Sequence, residues 1–123
     1  NYQTTIQEGW RLLKENGRLL IIDSPVYHNP DSGQQMVAER ERAFQKIYGF
    51  PSNAIKSQNY LSYDSLNKLG KATDTVWNLL WPTPRWRWDI RRLRTTLRGQ
   101  REPAQFPLIV GKAKNNDADT QKL

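Results

Sequence analysis

No cysteine occurs among the 123 residues, so disulfide staples and thiolate metal sites are excluded. The single histidine, His28, leaves no room for a metal site built on several imidazoles. No apolar run approaches the roughly 18 residues that cross a bilayer. Asn1 to Thr5 have neither the basic start nor the apolar block of a secretory signal. The expected setting is therefore reducing and cytoplasmic, at most peripheral to a membrane. An initiator methionine is also missing, and the chain is expected to be cut from something longer. There is no Gly-x-Gly, no nucleophile elbow, no phosphate loop and no glycosidase-style carboxylate pair.

What the chain does have is unevenly distributed charge. The net charge is +7. Between positions 85 and 102 seven arginines (85, 87, 91, 92, 94, 98 and 101) face only Asp89 and Glu102. The basic character thus belongs to one segment, which argues against a nucleic-acid-binding surface spread over the whole molecule.

Apolar spacing outlines the elements. Ile6, Trp10 and Leu13, widened by Leu12, predict an amphipathic helix closed by Asn16-Gly17. Leu19 to Ile22, four aliphatic residues before Asp23-Ser24-Pro25, predict a strand buried on both faces, of the kind found in parallel sheets covered by helices. A helix is predicted from Gly33 to Tyr48, capped by Ser32 with Gln35 completing a capping box. Its apolar face is Met36, Val37, Phe44, Ile47 and Tyr48. The run Glu39-Arg40-Glu41-Arg42 reads as a solvated face. Ser62 caps a shorter helix through Leu66, Leu69 and Ala72, and residues 75–81 read as a strand stopped by Pro82 and Pro84. A further helix over residues 86–98 carries the stripe Trp86, Ile90, Leu93 and Leu97. Residues 106–111 form a last strand, and residues 113–123 are polar enough to be a frayed tail after a domain spanning 1–112. This alternation predicts an α/β layered sheet.

Residues 8–23, Glu8-Gly9-Trp10-Arg11-Leu12-Leu13-Lys14-Glu15-Asn16-Gly17-Arg18-Leu19-Leu20-Ile21-Ile22-Asp23, resemble a signature of class I S-adenosylmethionine-dependent methyltransferases. In that family a helix ending in a tight glycine turn runs into an aliphatic strand with a terminal aspartate. Glu15 and Asn16 depart from the family's proline and first glycine, and still permit a tight turn. The segments around Ser62, Trp77 and Phe106 to Gly111 resemble the family's next helix and closing hairpin. The resemblance implies the carboxy-terminal portion of a Rossmann-like sheet, holding its fifth, sixth and seventh strands. The seventh lies antiparallel between the other two. It further implies S-adenosylmethionine as cofactor, held mainly by a part outside these residues, because the family's glycine-rich turn has no counterpart here. No cofactor-binding residue and no metal ligand can be carried over.

Ligands of open α/β sheets sit beyond the carboxyl ends of the strands. Asp23, Ser24, Tyr27 and His28 are therefore the candidate acceptor-side residues, beside a small-molecule or lipid-like methyl acceptor. His28 has two readings, a proton acceptor during methyl transfer or a solvated loop residue. The arginine helix has three: a solvated helix covering the sheet, a contact with an anionic membrane surface, or a contact with nucleic-acid phosphates. Arg91, Arg92, Arg94 and Arg98 would make the anionic contact. A non-enzymatic basic amphipathic module, binding membrane surface or nucleic acid, is the alternative to a methyltransferase part.

Overall fold

The computed structural model describes residues 1–53 and 57–114. In chain order the elements are α1 (Tyr2–Leu12), β1 (Leu19–Ile21), β2 (Val26–Tyr27), α2 (Pro30–Tyr48), β3 (Leu61–Ser62), α3 (Tyr63–Ala72), β4 (Thr75–Leu80), α4 (Arg85–Leu97) and β5 (Leu108–Ala113). The fold is mixed α/β. β1, β5 and β4 form an antiparallel sheet in that order, with β5 in the middle. Gly111 stands opposite Leu19 on one side and Trp77 on the other. This is the order and sense expected for these three strands. A second, two-stranded sheet pairs β2 with β3 in parallel, Val26 opposite Leu61 and Tyr27 opposite Ser62.

One face of the larger sheet makes the core. Val26, Leu61, Leu66 and Ile109 are buried together, with Ile21, Trp77 and Leu79 packed against them. Alternation along paired strands puts Ile21, Ile109 and Leu79 on the same face, toward α1 and α3. α1 fits closely because Gly9 lies against Leu19. Its Trp10 indole donates to the Thr75 hydroxyl at 2.8 Å. α3, which buries Leu66 and Leu69, begins at a capping box in which Ser62 accepts from the Ser65 backbone and the Ser65 hydroxyl accepts from the Ser62 backbone.

Several sequence expectations are corrected. β1 is not buried on both faces, and its one partner among the described residues is antiparallel. Leu20 is 56% exposed and Ile22, just past the strand, 68%. Only the α1 side of the strand is covered by a described element. α1 ends at Leu12, since Leu13 is already extended; Asn16 alone takes the left-handed conformation, in the turn that follows. α2 starts at Pro30, with Asn29 as its cap and Asp31 donating to the Asn29 side chain. Proline at the first helical position needs no partner for the N–H it lacks, so the helix opens before Ser32, which is buried. The far end of α2 leaves the body, and Ile47 and Tyr48 of its predicted apolar face are exposed. β5 runs on through Ala113, past the expected domain edge, and the Lys114 N–H donates to the Asp74 carbonyl. The rest of the expected tail, 115–123, lies outside the described residues.

Candidate functional site

Beyond the end of β1 the chain turns sharply at Asp23, whose φ of 58° is a left-handed conformation that aspartate tolerates better than most residues. Ser24 and Pro25 follow, and β2 carries Tyr27 inward to full burial. Together they form one wall of an open cleft of about 620 Å³. Met36 and Arg40 of α2, Arg91 of α4, and Arg101 and Phe106 from the segment leading into β5 form the others. Three of the four candidate acceptor-side residues, Asp23, Ser24 and Tyr27, thus meet in one cavity.

The cleft is cationic. Arg40, Arg91 and Arg101 line it against Asp23. Arg101 is positioned by Glu39, its Nε donating to the carboxylate at 2.9 Å, and its Nη1 reaches the Tyr27 hydroxyl at 3.5 Å. The run 39–42 is therefore more than a solvated face: Glu39 orients Arg101, Arg40 lines the cleft, and Glu41 accepts from the Ser52 N–H at 2.8 Å. Arg40, Arg101 and Glu39 escaped the sequence reading because sequence-distant elements bring them together and no local motif marks them.

Burial pushes the Tyr27 phenol above the usual tyrosine range, with the Arg101 guanidinium pulling the other way. Burial raises Tyr63 as well. Both hydroxyls stay protonated at neutral pH. Their native pKa values lie above the unfolded value of about 10, so the native state holds protons that the unfolded chain releases. Stability from this source is complete below about pH 10 and falls as pH rises through the folded values. Urea unfolding followed across this range should show the decline, and Tyr27→Phe with Tyr63→Phe should flatten it.

His28 does not line the cleft; it is an exposed loop residue, held by Glu102. Its Nδ1 lies 2.9 Å from a carboxylate oxygen of Glu102, whose side chain is only 9% exposed. The same carboxylate accepts from the backbone N–H groups of His28 and Asn29, at 3.4 and 3.0 Å. The His28 ring lies against Tyr63, at 4.5 Å, and Trp88, at 5.3 Å, tilted to both. Glu102 therefore ties the start of α2 to the segment before β5, and through His28 it holds Trp88 of α4.

α4 does not cover the sheet. No residue of it is buried, and Trp86, Ile90, Leu93 and Leu97 are 58%, 52%, 60% and 78% exposed. Trp88 and Thr95 are its half-buried residues. Of the four arginines expected to meet an anionic surface, Arg91 turns to the cleft and Arg92 stacks over Trp88 at 5.4 Å. Arg94 and Arg98 stand exposed beside the apolar stripe. Among the described residues no helix is long and apolar enough to cross a membrane. No protein-family model, no curated protein and no solved structure matches this chain.

Proposed function

We propose that this chain is the acceptor-side part of a class I S-adenosylmethionine-dependent methyltransferase. The observation that carries the reading is the strand order β1-β5-β4, both pairings antiparallel, with a cleft just beyond the end of β1. The open side of the sheet supports it. Leu20 and Leu80, opposite in face to the core residues, are more than half exposed, as is Ile22 beside them. β1 has no second neighbour among the described residues. An apolar sheet face and a free strand edge of this kind suit a strand whose remaining neighbours and covering layer lie in another part of the enzyme.

The residues present do not fit the cofactor. Among the described residues the two glycines in left-handed conformation, Gly49 and Gly99, close helices rather than follow strands, so neither can cradle a ligand at the start of a helix. S-adenosylmethionine, held by another part of the complete enzyme, would supply the methyl group. These residues position the acceptor, which is the main contribution such sites make. Arg40, Arg91 and Arg101 select an anionic acceptor, and the buried Tyr27 hydroxyl, behind the cleft wall, accepts from Arg101 and helps to place it. The test is methyl transfer by the product of the complete reading frame, supplied with labelled S-adenosylmethionine and a panel of anionic small molecules and lipids. Labelled product is expected, with Arg101→Gln raising KM for the acceptor. The absence of any methyl transfer overturns the reading.

A further inference from the structure

Among the described residues nothing packs on the outward face of α4. At 3.6 residues per turn, Trp86, Ile90, Leu93 and Leu97 fall within about 60° of one another around the helix axis. Trp88 and Thr95, which face the body of the protein, fall on the opposite side. The apolar stripe therefore points directly away from the fold. Arg87, Arg94 and Arg98 run along one flank of it, and Arg85 and Arg92 along the other. Asp89 is the one acidic residue of the helix.

From this geometry we infer that α4 docks on an anionic lipid bilayer surface, with the stripe in the acyl boundary and the flanking arginines at the level of the headgroups. Arginine stems lie along apolar surface while their guanidinium groups reach polar atoms, and tryptophan with arginine suits that boundary. The charge excludes the neighbouring choices. A second copy of α4 laid on the first would bring arginine flanks together. Nucleic-acid phosphates would engage the arginines and leave the four apolar residues facing water. The local structure of α4 agrees: no side chain caps its first turn, Arg85 and Arg87 stand at the end where the helix dipole disfavours cations, and one half-buried tryptophan fastens it. An anionic surface would offset all three.

This inference does not rest on the methyltransferase reading, and vesicle co-sedimentation tests it without methyl transfer. The protein should sediment with vesicles of phosphatidylcholine and phosphatidylserine at low salt, and not with phosphatidylcholine alone. Binding should fall as salt passes about 0.1 M, where screening reaches about 10 Å. Arg94→Gln and Arg98→Gln should each weaken it about fivefold, the equivalent of about 1 kcal/mol per arginine. Leu93→Gln with Leu97→Gln should abolish stable binding. These positions are exposed, so circular dichroism should be unchanged in every variant. Duplex DNA should bind more weakly and be indifferent to the leucine changes. Absence of sedimentation at low salt overturns the proposal, as does equal binding to neutral vesicles. So does vesicle binding that survives loss of both leucines, which would reduce α4 to a simple polycation. A dimer in sedimentation velocity that the leucine changes dissociate would assign the stripe to a second copy instead.

Discussion

Leu61→Ala is expected to destabilise the protein by about 2–5 kcal/mol, the range for deleting a fully buried leucine side chain. Leu61 is 1% exposed, lies opposite Val26 in the parallel pair, and belongs to the cluster with Leu66 and Ile109. The cost combines lost transfer free energy with the cavity left behind. Collapse around that cavity is restricted, because the Leu61 N–H is bonded to the Pro25 carbonyl at 2.8 Å and Val26 is held on its far side by Gln105. Domains of this size have about 5–15 kcal/mol in total, so the loss is a large fraction of it. In urea the midpoint should fall with little change in slope. Leu97→Ala, at 78% exposure, should stay within about 0.5 kcal/mol of the parent protein. Equal effects at the two positions would contradict the placement of the core.

The second large effect is expected at Glu102. Glu102→Ala removes the acceptor for Asn29 N–H and for the His28 ring and backbone. Hydrogen bonds to a charged acceptor contribute about 1.5–3 kcal/mol, and water reaching the exposed His28 and Asn29 offsets part of that loss. Glu102→Gln, which keeps a carbonyl oxygen, should lose less. A second readout separates this hub from an ordinary stabilising contact. With the His28 ring released, Trp88 loses one of its ring contacts, and amide exchange should quicken across α4 while β5 stays protected. Uniform quickening across the whole chain would mean that Glu102 merely contributes to global stability.

Legibility in the sequence followed the length of each pattern. α3 was plain because Ser62 and the apolar repeat through Leu66 and Leu69 agree on one start and one face. β4 and β5 were plain because their apolar residues, Val76, Trp77, Leu79 and Leu80 in one and Leu108 to Val110 in the other, lie close to Pro82 or Pro107. β2 and β3 were not, because two-residue strands have no period to read; their pairing depends on residues 35 positions apart, Val26 with Leu61. The stripe on α4 was visible, but not its direction. The same spacing serves a helix that covers a sheet and a helix that faces outward, and only the position of Trp88 decides between them. In the cleft, Asp23, Ser24 and Tyr27 follow from the rule that ligands gather beyond strand ends. Arg40 and Arg101 do not, and neither does Glu102 outside it, because each acts through a partner more than 60 positions away or on another element.

S-adenosylmethionine titrated calorimetrically into two proteins tests the central claim most directly. One is the 123-residue chain; the other is the product of the complete reading frame that encodes it. The chain alone is expected to give no binding heat at micromolar cofactor, and the longer product to bind in the micromolar range. Micromolar affinity in the isolated chain would contradict the division of labour proposed here, and a complete product without affinity would contradict the methyltransferase reading itself.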